Sequence, residues 1–390
     1  AIPWFTNRFI YDTRTGPVTE EKKERALEGW RHQRWGATLS GPVVLPRLFD
    51  GRNSTFWTFG YEGLYIMRNL GFTATVPSKE QRQGDFSALL ALGSRYQIYD
   101  PATIQPAPQG RFRRQPLPGN IIPRSRLDPI AVKLLTFWPP ANQPGTADGR
   151  QNYFRTRDIN RENRNMIGRL DHNFSENHRV FVRLNNSQHD NRAQTMPTIA
   201  VGDIVDRTGY GLVLDDVYVF NPQLLLNARY GVTYNNPINS RFSQGFDLLS
   251  LGLPRQLLEE IRSKNDPSGI AFPQIVVDGS GYTNLGNNGG ENFKTYYHTF
   301  AGTLTSIAGN HSYRFGGEYR LMRENGYSFG NVAPRLEFAS TWTRGPLDNA
   351  PGAPIGQGLA SMLLGIPSGG RININASRAE QSDFTSFYVQ

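Results

Sequence analysis

Histidines at 172 and 178 flank an expected tight turn, Ser175-Glu-Asn-His178, near enough in sequence to meet as metal ligands. Two imidazoles without a third ligand at defined spacing make a poor metal site, and turn histidines at an interface explain them more simply. Asp215-Asp216 is an adjacent carboxylate pair, but neighbours in a strand point to opposite faces and cannot share one acid–base site. Glu259-Glu260 falls in a short loop helix, where solvation is the expected state. No nucleophile occupies a Gly-x-Ser-x-Gly elbow. The Gly-rich stretches Gly279-Ser-Gly-Tyr282 and Asn287-Asn-Gly-Gly290 precede no helix that would cradle a phosphate, so both read as flexible loop. The chain has no cysteine, which removes disulfides, thiolate metal sites and cysteine nucleophiles. No catalytic constellation emerges, no metal or cofactor is implied, and an enzyme is not expected.

What does emerge is a rhythm of connections. Period-two strands are expected at about 34–45, 54–67, 164–174, 178–188, 210–220, 223–236, 294–308 and 312–325, with the start of a ninth near 383–390. Short connections at 46–53, 174–178, 221–223 and 309–311 alternate with long Pro/Gly/Asn/Arg-rich ones at roughly 68–163, 189–209, 237–293 and 328–381. Tight turns at one end and large loops at the other are the connectivity of an outer-membrane barrel. The expected fold is therefore all-β: an antiparallel transmembrane β-barrel with long extracellular loops containing short helices. One such helix starts at Asp128-Pro129, with Asp128 as N-cap, and stops at Pro139-Pro140; another spans 254–264.

The strands are two-sided. Leu224, Leu226, Ala228, Tyr230, Val232 and Tyr234 alternate with Asn227, Arg229, Gly231 and Thr233. Arg169, Asp171, Arg183, Arg229, Glu318 and Arg320 fall on the inward face, as side chains of a water-filled lumen would. Trp57, Tyr65, Tyr218, Tyr230, Tyr234, Tyr313 and Tyr319 are expected as interfacial girdle residues against outer-membrane lipid. The loop aromatics Trp138, Tyr153, Tyr282 and Trp342 admit two readings, stacking on a ligand or packing the loops.

Composition agrees. A mean hydropathy of −0.50 and 38% hydrophobic residues suit a barrel, in which only alternate strand residues meet lipid. No run of 18 apolar residues exists, so no membrane helix is expected. The net charge is +9, and 36 of 42 cations are Arg, but they are scattered rather than gathered in a stripe. Nucleic acid is not an expected partner. The chain begins at Ala1 without a leader and ends inside a strand, so both ends read as cut.

Several ordered strings carry a resemblance. Gly36-Ala-Thr-Leu-Ser-Gly-Pro-Val-Val44 and Asn53-Ser-Thr-Phe-Trp-Thr-Phe-Gly-Tyr-Glu-Gly63 are followed by Thr75-Val-Pro-Ser-Lys-Glu-Gln-Arg-Gln-Gly-Asp-Phe-Ser87 and Ile98-Tyr-Asp-Pro101. Pro118-Gly-Asn-Ile-Ile-Pro123, Arg126-Leu-Asp-Pro-Ile-Ala131 and Gly168-Arg-Leu-Asp-His-Asn-Phe-Ser175 complete the series. Together they resemble the barrel of Oar-like TonB-dependent receptors of the acidobacterial type. That resemblance implies a 22-stranded barrel in the Gram-negative outer membrane, plugged by an N-terminal domain and energised by TonB. It also implies capture of an extracellular glycan, peptide or siderophore by the loops, and uptake along the six inward residues named above. Only about nine strands are present and no plug is seen. Residues 1–30 would be the plug-to-barrel connection and 31–390 the first part of the barrel, a fragment. Two other roles stay open: a structural or adhesive surface protein without energised transport, and a soluble β-rich binding protein.

Overall fold

A computed structural model describes residues 30–287, 289–328, 330, 332–375 and 377–390. The connection expected at 1–30 lies outside the described residues, except that residue 30 opens the first strand. Nine strands build one antiparallel sheet: β1 (Trp30–Pro42), β2 (Thr55–Ala74), β3 (Tyr153–Ser175), β4 (His178–Ala193), β5 (Asp203–Asn221), β6 (Leu224–Arg241), β7 (Glu291–Ala308), β8 (His311–Ser328) and β9 (Ser377–Val389). Spatial order follows chain order, so the sheet is an up-and-down meander. All the short turns lie at one end and all the long connections at the other.

The strands run 13 to 23 residues, and most are longer than expected. Their extensions all lie at the long-loop end. There both faces turn polar, with Arg164, Gln188 and Thr208 outward and Asn165, Ser187 and Asn235 inward, so alternation no longer marks the strand. The connection expected over 189–209 shrinks accordingly to residues 194–202. Three short turns are two-residue loops at 176–177, 222–223 and 309–310. The first differs: a small hairpin of Val44–Leu45 with Phe49–Asp50 turns about Arg47 (φ 66°). Asp50-Gly51 closes its base, where Gly51 N donates to Val43 O at 2.9 Å.

One rung of partners runs through Thr55, His172, Val180, Asp216, Ala228, Gly302, Gly317 and Phe387. On it His172 lies three residues from the strand end Ser175, Asp216 five from Asn221, and Gly302 six from Ala308. This progressive stagger tilts the strands relative to the line of turns, as closing a barrel requires.

Measured from the short-turn ends, the outward aromatics fall at two levels. Trp57, Tyr218 and Tyr313 lie within three residues of Thr55, Asn221 and His311. Tyr65, Tyr210, Tyr234 and Tyr296 lie ten to twelve residues from those ends of their strands. About eight residues of tilted strand rise roughly 20 Å, close to the apolar band of an outer-membrane wall. Tyr230 and Tyr319, expected in the girdles, sit between the two levels. Apolar residues of this band are open, with Leu39 62%, Leu184 55% and Phe300 49% exposed. No second sheet covers it among the described residues.

The buried core lies elsewhere. The long connections fold together into a cap over one end of the wall, with Phe86, Trp138, Met196, Phe272, Tyr282 and Leu359 among its interior side chains. Helices α1 (Pro129–Leu135), α2 (Arg255–Lys264) and α3 (Gln357–Leu363) belong to it. As expected, Asp128 caps α1, accepting from Ala131 N at 2.9 Å, and Pro129 takes the first position. Replacing Asp128 by Ala should lower the cap's stability by about 1 kcal/mol, measured as faster amide exchange through α1. The expected helix to Trp138 is shorter, because Arg82 gathers the carbonyls of Leu135, Trp138 and Pro139 with bonds of 2.6, 3.0 and 2.7 Å.

Candidate functional site

Two adjacent rungs of the inner face carry all six residues singled out from sequence. Arg169, Arg183 and Arg320 share one rung; Asp171, Arg229 and Glu318 share the next. Strand alternation places them opposite the apolar band, and neighbouring strands then set the partners. Arg169 forms a two-bonded ion pair with Asp171 at 2.8 and 2.6 Å, and its guanidinium stands 3.7 Å from the Phe181 ring centroid. Arg320 pairs with Glu318 and faces Phe384. Arg229 bonds Asp215 at 2.6 Å. Arg183 stands beside Arg169 with its Nε buried and without a hydrogen-bond partner.

Asp215 is the residue that sequence reasoning passed over. It is 4% exposed and accepts from both Arg229 and Asn227, the latter at 3.1 Å. Its neighbour Asp216 points outward to His178, 3.0 Å from Nε2, so the two carboxylates occupy opposite faces as expected. The half-exposed pairs contribute at most about 1 kcal/mol each. Asp215 differs, since removing Arg229 would leave a buried carboxylate poorly compensated, at a cost of about 3 kcal/mol or more.

The histidines do not converge. His172 Nδ1 is 2.7 Å from Thr55 Oγ1, and the Phe174 ring packs against both imidazoles, with centroids at 4.4 and 4.9 Å. Among the described residues, no group of three His, Cys, Asp or Glu is placed to hold a metal ion.

In the cap, the strand Gln274–Val277 of the third long connection pairs in parallel with Arg335–Phe338 of the fourth, which also pairs with Gly369–Arg371. The expectation that Gly279–Tyr282 is flexible is corrected here. Tyr282 is buried and donates to Gln81 Oε1 at 3.1 Å, and burial pushes its phenol well above the usual range. Just before it, Asp278 accepts from the N–H groups of Gly358 at 2.6 Å and Gly356 at 2.9 Å, where α3 begins. A helix N-terminus does meet this Gly-rich turn, but it comes from another loop and the protein's own carboxylate occupies it. Glu259 and Glu260 lie on the exposed side of α2.

The loop aromatics separate. Trp138, Tyr153 and Tyr282 are interior, and Trp138 Nε1 donates to Thr283 O at 2.7 Å. Trp342 is half-buried, tied to Pro367 O at 3.0 Å, and lines a shallow depression with Pro101, Arg126, Leu364 and Ile366. Arg126 clasps Asp100 there with bonds of 2.6 and 2.8 Å and holds its carboxyl below the usual range.

A tilted meander with a charged inner face, a lipid-facing band and a loop cap at one end defines a transmembrane β-barrel wall. The family model described as outer membrane beta barrel domain matches residues 12–390, and the chain belongs to that family. It resides in the cell outer membrane. Among solved structures it is similar to the outer membrane transporter YddB from Escherichia coli, with 8% identity and a TM-score of 0.45, over 92% of this chain and 31% of that one. It is also similar to the ferric-catecholate import receptor Fiu from E. coli K12, with 8% identity and a TM-score of 0.34, over 92% and 44%. The chain thus spans less than half the length of either. No curated protein matches the sequence.

Proposed function

We propose that the chain is part of the barrel of an Oar-like TonB-dependent receptor, one that takes up a ligand and performs no catalysis. In this reading residues 31–390 are the first strands of a larger barrel, joined through 1–30 to an upstream plug that TonB engages. The observation that supports it best is the pairing of a folded external cap with two charged inner rungs, Arg169/Arg183/Arg320 and Asp171/Arg229/Glu318. The cap would meet the ligand and the rungs would line its passage, with membrane lipid around the outer face.

The full-length gene product decides between this and an adhesive or structural role. An upstream plug that binds the purified periplasmic domain of TonB is expected; a product without plug or TonB binding, still exposed at the cell surface, supports the adhesive alternative. Arg320→Gln and Glu318→Gln should leave folded yield unchanged, since exposed pairs contribute little. Both should alter which members of a labelled glycan, peptide and siderophore panel accumulate in cells. Loss of insertion with unchanged uptake per folded molecule would remove the passage role.

A further inference from the structure

The cap contains a charge cluster that the barrel reading does not use. The hairpin strand Arg111–Pro116 of the first long connection lies along residues 344–350 of the fourth. Arg114 N donates to Pro346 O at 2.9 Å, Asp348 N to Phe112 O at 3.0 Å, and Arg113 bridges Leu347. This seam brings three guanidiniums, Arg111, Arg114 and Arg344, around a single carboxylate, Asp348. Arg111 Nε lies 3.0 Å from Asp348 Oδ1, and the same oxygen accepts from Phe112 N at 3.1 Å. Arg114 is 4% exposed and donates to the Arg344 carbonyl at 3.0 Å. The Nε atoms of Arg114 and Arg344 are buried without a hydrogen-bond partner.

Three cations against one anion leave two positive charges in a partly desolvated seam. Buried charge without compensation is expensive, and guanidinium forks suit the planar or tetrahedral oxygens of carboxylate, phosphate and sulfate. The charges already feel one another: burial first lowers the Arg114 pKa, Asp348 opposes that, and Arg344 adds to it. The Phe112 N–H and Arg111 hold Asp348 ionised, so it acts as a weak internal competitor for an incoming anion.

We propose that Arg111, Arg114 and Arg344 form a subsite on the outer cap for an oxyanion group carried by a soluble ligand. Arg111 and Arg344 reach the surface, while Arg114 supports them from beneath and adds field. The site requires the cap to be folded but not energised transport, so its test is separable from that of the uptake reading.

The test is isothermal titration of the full-length protein in detergent with citrate, inorganic phosphate and sulfate. Saturable binding that weakens with added salt is expected. Arg111→Gln and Arg344→Gln should each weaken it about tenfold, the loss expected when a charge-assisted fork is removed. Asp348→Asn retains an acceptor for Phe112 N and removes the competing charge, so it should tighten binding. Arg95→Gln, a cap arginine bonded to the Gly352 carbonyl, should leave it unchanged. Arg114→Gln risks the fold of the seam and is read only with the other two. No binding by any of the three anions overturns the proposal, as does equal weakening by Arg95→Gln. Binding seen only with lipopolysaccharide-containing vesicles would make the seam a headgroup contact and would equally overturn the soluble-ligand site.

Discussion

Phe300→Arg should abolish assembly into the outer membrane, whereas Ala301→Arg, one residue further along β7, should be tolerated. Phe300 lies on the outward face between the two aromatic levels, partnered by Tyr230 and Tyr319 in the rung, with ring centroids at 4.8 and 6.4 Å. A guanidinium near the midplane on the lipid face costs about 2–4 kcal/mol. Loss of the aromatic neighbours adds roughly 1 kcal/mol. Ala301 points the other way, between Arg229 and Glu318. Arginine there enters a polar interior with a carboxylate beside it, so the change should stay within about 1 kcal/mol. Heat-modifiable migration of the outer-membrane fraction, or urea titration in lipid vesicles, reads the difference. If both variants assembled equally, the outward band would not face lipid.

That contrast rests on the part of the fold most legible in the chain. Residues such as Leu224 to Tyr234 alternate because each strand divides two solvents, and the shortness of the turns is written in Asn221-Pro222 and Gly309-Asn310. Legibility ends where the physics that produces it ends. Above the upper tyrosines water lies on both faces, so β3 continues to Tyr153 without any alternation to announce it. Register was legible only in part. A plain two-residue loop pairing Asn221 with Leu224 would set Arg229 opposite Asp216. A bulge between Leu224 and Leu225 shifts the pairing by one and delivers Arg229 to Asp215. The buried acid of the inner face was hidden behind that single residue.

The cap was illegible for a different reason. Its determining contacts join residues remote in sequence: Asn152 bonds the Val76 backbone, Tyr282 meets Gln81, and Asp278 meets Gly358. Locally these segments have the Gly, Pro and Asn content of any loop, and no periodicity distinguishes a packed connection from a free one. Only its two helix signals, the Asp128-Pro129 start and the stretch 254–264 that forms α2, were visible beforehand.

Asp278 makes that packed cap sensitive to pH. Its carboxyl is enclosed where the third and fourth long connections meet, beside Tyr282, and burial raises its pKa to about 7. Burial outweighs the opposing pull of the backbone N–H groups of Gly358, Gly356 and Leu359. Because the folded value exceeds the unfolded one, near 3.9, the fold favours the protonated acid. Its contribution is complete below about pH 4 and is lost progressively as pH rises to about 7, by roughly 4 kcal/mol in total. The carboxylates of Asp85, Asp100 and Asp148 have lowered pKa values and work the other way, weakening the cap only as pH falls below about 4. Cap stability should therefore peak near pH 4 to 5 and decline toward pH 8, with amide exchange across Gln357–Leu363 accelerating as α3 loosens from its acid. Asp278→Asn sets an amide against one of the N–H donors, costing about 1–3 kcal/mol, but it cannot titrate. In that variant, exchange across α3, corrected for the intrinsic pH dependence of amides, should be flat from pH 5 to 8. If wild-type exchange, corrected in the same way, is also flat over that range, the N–H groups prevail over burial and Asp278 is ionised throughout.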